Sequence, residues 1–338
     1  MVKADGYGHG AVRAARAALA GGATSLAVAA AHEAADLRRG GIDAPVLVLG
    51  ALTARELELA LDARADVIAW REEFVRGILR PARVHVKLDT GMGRLGTRDA
   101  DEATRVADEI AAAAHLELAG AMTHFATADE LDDDFMGEQL ARFTAWALPL
   151  RERYPGIVLH TANSAATLRD SATHFDVVRT GVAIYGLDPF QRDPADHGLE
   201  PALEVRSYVA EIKPIAAGES AGYGRRFVAE EPTTLGTVPI GYGDGVRRAL
   251  TNNADVLVGG RRRPLRGAVS MDNVTVDLGP SPPGVARGDD AVLIGAQGDE
   301  RILTEEWARR LDTINYEITC GISARVPRAY HRDGVPEA

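Results

Sequence analysis

The first 200 residues alternate short, apolar, strand-like runs with longer stretches of helical periodicity. The strand-like runs are 25–30, 45–49, 66–70, 83–88, 116–123, 156–160 and 176–184, and helical patterns between them include 11–20, 32–39, 54–63, 100–114 and 135–153. A strand-then-helix repeat at this spacing indicates βαβ units and a parallel sheet. With the stub at residues 1–3 counted as a strand, eight strands predict a (β/α)8 TIM-type barrel whose first strand is truncated. An open doubly wound sheet is the alternative.

After Gly198 the pattern changes to alternating runs separated by Gly, Pro and Asp-Gly turns. These runs are 203–212, 233–239, 256–258, 266–278 and 290–294, with one helical pattern at 304–311. Such alternation is typical of antiparallel sheets. We therefore predict two domains, a barrel at 1–198 and a mainly antiparallel β domain at 199–338, with the boundary in the Pro- and Gly-rich segment 188–200.

Composition limits the function classes. A length of 338 residues suits a barrel plus a smaller domain, and a net charge of −11 argues against a nucleic-acid-binding face. The basic run at residues 261–263 is expected to be a solvated turn between two strands. A single cysteine fits a reducing cytoplasm, and neither a signal peptide nor a membrane-spanning run of apolar residues is evident. We expect no nucleic-acid partner, no membrane association and no metal site.

Lys3 stands in a glycine-rich segment, Val-Lys-Ala-Asp-Gly-Tyr-Gly-His-Gly, at residues 2–10. Lysine is scarce in this chain, since only three of its 38 basic residues are lysines. An amine can lose its proton and form a Schiff base, which a guanidinium cannot do. The segment therefore indicates a reactive lysine, although a surface lysine beside a tight turn is the alternative.

Other chemistry-bearing residues follow the predicted strands at their carboxyl ends, where barrel active sites lie. They are Lys87, His124, Asn163 and Ser164, while Arg179 and Gly181 lie on and just after the start of the predicted eighth strand. Ser164 and the backbone at Gly181 suit an anion, with a simple helix cap as the alternative for Ser164. Arg179 inside a barrel needs a partner, and a surface position is its alternative. For Lys87 the alternative is an ion pair with Asp89, and for His124 a structural role.

Ordered motifs along the full length resemble the alanine racemases. They lie at residues 2–10, 85–96, 123–127, 178–186, 221–224, 240–245, 270–272, 313–317 and 322–328. In that family a few tens of residues precede the lysine of the first motif, whereas two precede it here. We expect the shortened first strand to leave edge groups unpaired and Lys3 on a frayed end.

The resemblance implies pyridoxal 5'-phosphate as the cofactor, joined to Lys3 through its aldehyde. The cofactor phosphate would be held by Tyr7, Ser164, Gly181, Val182 and Tyr316, with Asn163 nearby. Arg179 would face the pyridine nitrogen and keep it unprotonated, so that the ring is a weaker electron sink. His124 would hydrogen-bond Arg179 and the catalytic tyrosine.

The resemblance also implies a two-base racemase that interconverts L-alanine and D-alanine. Lys3 would act on one face of the substrate Cα and Tyr223 on the other. Arg94 would contact the phenolic oxygen of the cofactor and, with the Met271 N–H, the substrate carboxylate. In relatives the residue matching Lys87 can be carbamylated. Tyr242 and Arg248 match entrance-channel positions. In the family the tyrosine comes from the second subunit of a homodimer, and the D-alanine produced serves peptidoglycan synthesis.

Several alternatives stay open. A racemase acting on serine or on several amino acids would differ only in pocket lining, since one methylene is worth roughly 1–3 kcal/mol in discrimination. A truncated, inactive pyridoxal-phosphate-binding relative and a related decarboxylase are further alternatives, the latter without Tyr223 as a second base. Residues 91–96 match a dinucleotide pattern, but a helical stretch occupies the place of the required next strand. Residues 89–91 resemble an aspartic-protease triplet without a second copy.

Overall fold

The computed structural model describes residues 1–282, 284–332 and 335–336. The chain forms two compact units, Met1–Ile184 and Tyr185–Ala338. The predicted domain boundary at residue 198 remains a prediction. Within the described part of the chain, no helix combines the length and the apolar character needed to cross a membrane.

The first unit is a parallel sheet whose strands lie in chain order, with helices between them. Six of the helices bury apolar residues in one continuous core with the strands, as the strand–helix repeat predicts. The strands are β1 (Leu26–Val28), β2 (Val46–Val48), β3 (Asp66–Ala69), β4 (Ala82–Lys87), β5 (Leu116–Met122) and β6 (Val158–His160). The helices are α1 (Lys3–Tyr7), α2 (Ala11–Ala20), α3 (Ala31–Arg39), α4 (Ala54–Asp62), α5 (Glu72–Arg76), α6 (Ala100–Ala112), α7 (Phe135–Arg153) and α8 (Ser164–Arg169).

The two remaining barrel strands that we predicted, at residues 1–3 and 176–184, are not strands. Lys3 begins α1, and a 3-10 turn occupies Val182–Tyr185. Backbone hydrogen bonds nevertheless continue the ring, because Asp176 N–H donates to the Leu159 carbonyl in β6 at 3.1 Å. These short stretches make too few such bonds for a ladder.

The expected unpaired edge at the first strand is also wrong. Val2 is fully buried, and its N–H donates to the Ala27 carbonyl in β1 at 2.9 Å. The nitrogen of Met1 donates to the Thr180 carbonyl at 2.9 Å. The residue before Lys3 is therefore held on both sides, which fixes where α1 begins.

The α1 segment is left-handed. Ala4, Asp5, Gly6 and Tyr7 all have φ between 51° and 62°, and Gly8 N–H donates to the Ala4 carbonyl at 3.0 Å. This conformation costs about 1–2 kcal/mol for each residue with a side chain. Such strain persists where the surroundings over-determine it, often at functional sites.

Two carboxylates hold the left-handed turn. Glu33 Oε1 accepts the Ala4 N–H at 2.6 Å, while its Oε2 accepts the N–H of Ala29 at 2.8 Å. Asp5 Oδ1 accepts the Ala11 N–H at 2.8 Å and so ties the turn to the next helix. Lys3 and Tyr7, four positions apart in the chain, therefore lie close together. Lys3 Nζ is 6.0 Å from the centroid of the Tyr7 ring.

The second unit is mainly antiparallel, as predicted. One sheet has the order β14-β11-β8, and another has the order β13-β12-β15-β16 with β7 paired to β15. Two further sheets of two strands each pair β9 with β10 and β17 with β18. The strands are β7 (Val205–Tyr208), β8 (Glu211–Ile215), β9 (Ser220–Ala221), β10 (Phe227–Val228), β11 (Thr233–Val238), β12 (Asp255–Val258), β13 (Arg261–Pro264), β14 (Val274–Gly279), β15 (Asp290–Gln297), β16 (Glu300–Ile302), β17 (His331–Arg332) and β18 (Val335–Pro336). The helices are α9 (Thr304–Leu311) and α10 (Asn315–Cys320).

The basic run at residues 261–263 is a strand, β13, and not the expected turn. Arg262 donates to Glu306 through both terminal nitrogens, at 2.8 and 2.9 Å, and to Glu300 at 3.1 Å. Pairing of β13 with β12 carries this guanidinium to the acidic residues of β16 and α9. Carboxylates distant in sequence thus neutralise the central arginine of this run.

We predict that Ala4→Gly stabilises the first unit and that Gly6→Ala destabilises it. Glycine relieves the left-handed strain at Ala4, so the free energy of unfolding should rise by up to about 1 kcal/mol after the greater chain entropy of glycine is subtracted. A Cβ at Gly6 would lie 3.0 Å from Ala14 Cβ at φ 62°, so stability should fall. Urea unfolding measures both changes. A loss of stability in Ala4→Gly would contradict the strain assignment.

Candidate active site

The predicted residues of the first unit lie at the carboxyl ends of the parallel strands. Lys87 is the last residue of β4, and His124 follows β5 by two residues. Asn163 and Ser164 follow the end of β6 by three and four residues. Because parallel strands bring their carboxyl ends to one edge of the sheet, these side chains lie together although they are far apart in sequence. This end of the barrel is called its mouth.

Ser164 and Gly181 are joined by a hydrogen bond, and this part of the site is called the cradle. Ser164 Oγ is buried and accepts the N–H groups of Gly181 at 2.8 Å and Ala183 at 3.3 Å. Its own hydroxyl proton is left to donate. The α8 cap is instead Asn163, whose Oδ1 accepts the Ala166 N–H at 2.9 Å. The alternative of Ser164 as a helix cap is therefore wrong.

Tyr7 closes this cradle. Its side chain is buried, and a Cβ built at Gly181 would lie 2.3 Å from the Tyr7 hydroxyl. Any residue larger than glycine at 181 would displace that hydroxyl. The left-handed turn thus places the Tyr7 hydroxyl, a hydrogen-bond donor, where the Ser164 hydroxyl is also available to donate. Val182, the residue after Gly181, is buried.

Arg179 lies inside the barrel and is buried. Its guanidinium donates to the carbonyls of Thr123 at 2.8 Å and Thr161 at 2.9 Å. It also contacts His160 Nδ1 at 3.1 Å and His124 Nδ1 at 3.3 Å. No ion pair between Arg179 and a carboxylate is present among the residues that the structure describes. Burial lowers the pKa of Arg179 to about 10, which still leaves it charged at neutral pH.

The His124 side chain lies among several positively charged side chains. Its burial, and then the charges of Arg179, Lys87, Arg94 and Lys3, hold its pKa well below the ordinary 6.5. Arg179 can only donate, so His124 Nδ1 accepts and Nε2 carries the proton. The mouth of the barrel therefore combines a neutral imidazole with four cationic side chains, a setting suited to an anionic ligand.

Lys87 is buried at the end of β4. Burial, followed by the charges of Arg94 and Arg179, lowers its pKa to about 8, and Asp89 opposes this only weakly. The Asp89 carboxylate accepts the N–H groups of Gly91 and Gly93 and contacts Arg98. The alternative of a Lys87–Asp89 ion pair is not found within the described ranges. Arg94 itself is exposed.

The remaining candidates belong to the second unit. Tyr223 is 74% exposed on the turn between β9 and β10, and Met271 and Tyr242 are also exposed. Tyr242 N–H donates to the Ser270 carbonyl at 2.9 Å, which brings the segments of Tyr242 and Met271 together. Arg248 is exposed on a 3-10 turn, and Tyr316 is half-buried in α10.

The sequence patterns did not identify three side chains that are connected to Arg179 by a series of contacts inside the barrel. His160 contacts it directly, His85 contacts His160 at 2.9 Å, and Asp66 contacts His85 at 3.4 Å. One signal was available, since His85 and Lys87 are two residues apart in β4 and so share one face. Nothing local in the sequence points from His85 to His160.

Comparison with known families follows the two units. Residues 1–189 match the model "Alanine racemase, N-terminal domain", and residues 202–330 match "Alanine racemase, C-terminal domain". The chain belongs to the alanine racemase family. The family recognised from the sequence motifs, and the predicted class of amino-acid racemase, are therefore confirmed.

Individual racemases resemble this chain over nearly its whole length. The alanine racemase of Halalkalibacterium halodurans is 41% identical over 99% of this chain and 88% of its own. Among solved structures, alanine racemase from E. faecalis has a TM-score of 0.90 at 37% identity, covering 96% of this chain and 89% of that one. Alanine racemase from Bacillus anthracis with bound L-Ala-P has a TM-score of 0.89 at 38% identity, covering 99% and 88%. The predicted barrel with an antiparallel β domain is thereby confirmed.

We predict that Lys87 makes stability rise with pH in the alkaline range. Below about pH 8 the folded chain bears the full cost of a buried charge. Between a pKa of about 8 in the folded state and the ordinary 10.5 of the unfolded state, the folded chain loses its proton first. From pH 7 to pH 10 the wild-type chain should therefore gain about 2 kcal/mol relative to Lys87→Met. Urea unfolding in bicarbonate-free buffer measures this difference.

The matched control is Lys213→Met, because Lys213 is exposed on β8. Its stability should follow that of the wild-type chain across the same pH range. If Lys87→Met and the wild-type chain keep a constant difference from pH 7 to pH 10, the lowered pKa of Lys87 is wrong.

Proposed function

We propose that this chain is a pyridoxal 5'-phosphate-dependent racemase that interconverts L-alanine and D-alanine as a homodimer. The observation that carries the proposal is the cationic mouth of the barrel, where Lys3, Arg179 and neutral His124 adjoin the Ser164–Gly181 cradle. A scarce lysine, a phosphate-sized set of donors and a buried guanidinium together suit an aldehyde-bearing aromatic phosphate.

The residues present fit this cofactor. Ser164 Oγ–H, the Tyr7 hydroxyl and the backbone at Gly181 and Val182 would hold the phosphate, with Asn163 shaping the loop and Tyr316 adding a second phenol. Arg179 would donate to the ring nitrogen, and since it stays charged it would not give up a proton to that nitrogen. Lys3 would hold the aldehyde carbon.

The bound cofactor would supply electron withdrawal that weakens the Cα–H bond of the amino acid. Inversion then needs a proton removed from one face of Cα and another delivered to the opposite face. Lys3 Nζ would act on one face and the Tyr223 phenol on the other. His124, with its proton on Nε2, would donate to the Tyr223 oxygen and so orient it. Arg94 and the Met271 backbone would bind the substrate carboxylate.

A second copy of the chain would supply Tyr223. The 74% exposure of this tyrosine on a hairpin turn, together with the exposure of Tyr242 and Met271, supports a role outside its own unit. An isologous dimer would give each barrel one Tyr223 from its partner. Tyr242 and Arg248 would then line the entrance to the site.

Lys87 would be carbamylated. Its lowered pKa supports this, because the uncharged amine is the form that reacts with carbon dioxide. The new carboxylate would lie close to Arg94 and would orient its guanidinium toward the substrate. ¹³C-bicarbonate should give a carbonyl NMR signal in the wild-type chain and in Lys213→Met, and none in Lys87→Arg.

The direct test is D-alanine formation from L-alanine by the full chain loaded with pyridoxal phosphate, measured by chiral chromatography. The wild-type chain should form D-alanine, Lys3→Ala should not, and Lys213→Ala should behave as wild type. Absence of product from the loaded wild-type chain would overturn the proposal. L-serine in parallel distinguishes a broader racemase.

Tyr223→Phe should lower L-to-D turnover by at least about a hundredfold, because a general acid or base is lost, while the absorption of the bound cofactor is unchanged. Tyr208→Phe, which alters another exposed tyrosine of the same unit, should leave turnover unaffected. Mixing Lys3→Ala with Tyr223→Phe should restore about a quarter of the activity if the tyrosine comes from the partner, since mixed dimers then contain one intact site. No recovery on mixing would contradict the shared site.

We propose further that the enzyme works in the cytoplasm and supplies D-alanine for peptidoglycan. Its single cysteine supports a reducing compartment. Expression of the chain without an added leader should rescue a bacterium that requires D-alanine for growth. Failure of rescue by a chain that is active when purified would count against this location.

A further inference from the structure

A series of side chains, buried except for Asp66 at its end, runs from Arg179 away from the cradle into the barrel. Arg179 Nη1 is 3.1 Å from His160 Nδ1, and His160 Nε2 is 2.9 Å from His85 Nδ1. His85 Nε2 is 3.4 Å from Asp66 Oδ2, the longest of the three links. Both imidazoles are at most 5% exposed, and their rings meet at 87°.

The donor and acceptor groups allow only one direction for this series of hydrogen bonds, from Arg179 toward Asp66. A guanidinium only donates, so His160 Nδ1 must accept and its Nε2 carries the proton. That proton points at His85 Nδ1, which must therefore be bare, and the His85 proton lies on Nε2 facing the Asp66 carboxylate. The tautomer of each histidine is thus set by the hydrogen bond that its Nδ1 accepts.

The absence of a side chain at Gly120 makes room for the contact between His85 and His160. His85 and Val158 lie on either side of Gly120 in the sheet, on β4 and β6. A Cβ built at Gly120 would lie 2.5 Å from His85 Nδ1 and 2.6 Å from the Val158 carbonyl oxygen. Glycine at this position lets the imidazoles of β4 and β6 meet across β5.

Charge supports the same arrangement. Burial, followed by the charge of Arg179, holds the pKa of His160 well below 6.5. A second proton on His160 would point at Arg179, so donor would face donor. At its outer end the chain reaches the first residue of β3, Asp66, which is also 3.3 Å from Arg83 Nε.

We propose that His160, His85 and Asp66 form a one-directional hydrogen-bond relay that positions the Arg179 guanidinium for the cofactor from inside the barrel. This inference rests on the proposed function, because Arg179 acts on catalysis only where it faces pyridoxal phosphate. His160, His85 and Asp66 are positioning residues, since they act through Arg179. Breaking the relay leaves the guanidinium with one partner fewer and the neighbouring imidazole proton without an acceptor.

The tautomers are tested without any cofactor or substrate. Long-range ¹H–¹⁵N spectra of the ¹⁵N-labelled full chain at pH 7, assigned with His85→Gln and His160→Asn, report which ring nitrogen is protonated. We expect a proton on Nε2 alone for both His85 and His160. A proton on Nδ1 of either ring would overturn the relay.

The positioning role is tested by cofactor affinity. Glutamine at 85 keeps one acceptor and one donor, whereas leucine keeps neither. We expect His85→Leu to raise the dissociation constant of pyridoxal phosphate about tenfold, and His85→Gln to stay within about twofold of wild type. Lower thermal stability of His85→Leu with unchanged cofactor affinity would show a merely structural role and overturn the proposal.

Two further variants keep the test decisive if His85→Leu does not fold. Gly120→Ala removes no polar group but should push the His85 ring from His160, with the same loss of affinity. Asp66→Ala should also weaken binding, and Asp66→Asn, which keeps an acceptor oxygen, should not. Wild-type affinity in both Gly120→Ala and Asp66→Ala would overturn the relay.

These outcomes are separable from those of the proposed function. If the loaded wild-type chain forms no D-alanine, racemisation fails while the tautomers and the cofactor affinities still report on the relay. If D-alanine forms but the relay variants bind the cofactor as wild type does, only the relay fails.

Discussion

The positive charge of Arg179, buried inside the barrel, is the constraint on which the rest of the site depends. Backbone carbonyls of Thr123 and Thr161 and two histidine nitrogens surround it, with no carboxylate ion pair among the described residues. A buried charge without a counter-ion keeps neighbouring groups from gaining protons. Burial is the largest cause of the lowered pKa values of His124, His160 and Lys87, and the charge of Arg179 lowers each of them further. The same field makes the barrel mouth attractive to a phosphate and a carboxylate, the two anionic groups that a pyridoxal-phosphate racemase must hold.

Glycines and backbone strain bring the reactive groups into this field. The left-handed turn of α1 takes Tyr7 to Gly181, where the absence of a Cβ leaves space for the phenolic hydroxyl. Glu33 offsets part of the cost of the turn by accepting the Ala4 N–H. Gly120 plays the corresponding part deeper in the barrel, where it leaves space between His85 and His160. In both places a side chain is withheld so that polar groups on different elements can meet.

Local patterns predicted most of the elements because helix and strand periodicity is written into neighbouring residues. Helices Ala11–Ala20, Phe135–Arg153 and Thr304–Leu311 begin and end as predicted, and six parallel strands lie where the apolar runs indicate them. The predictions failed where pairing partners decide the structure. Residues 176–184 are apolar enough for a strand but make only isolated backbone bonds, and residues 261–263 form a strand because β12 pairs with them. Asn163, and not Ser164, caps α8, which leaves the serine for the cradle.

By itself, the sequence determined the family, the succession of strands and helices, and the identity of Lys3, Arg179 and Ser164 as candidates, because scarce residue types and ordered motifs are local properties of the chain. Only the tertiary structure decided which partners these residues have. His85 and His160 are 75 positions apart in the chain, and their contact depends on the register of β4, β5 and β6 and on the glycine between them. The lowered pKa of Lys87 likewise follows from burial beside Arg94 and Arg179. Hydrogen-bond direction and desolvation depend on distances between elements, and a sequence pattern does not contain those distances.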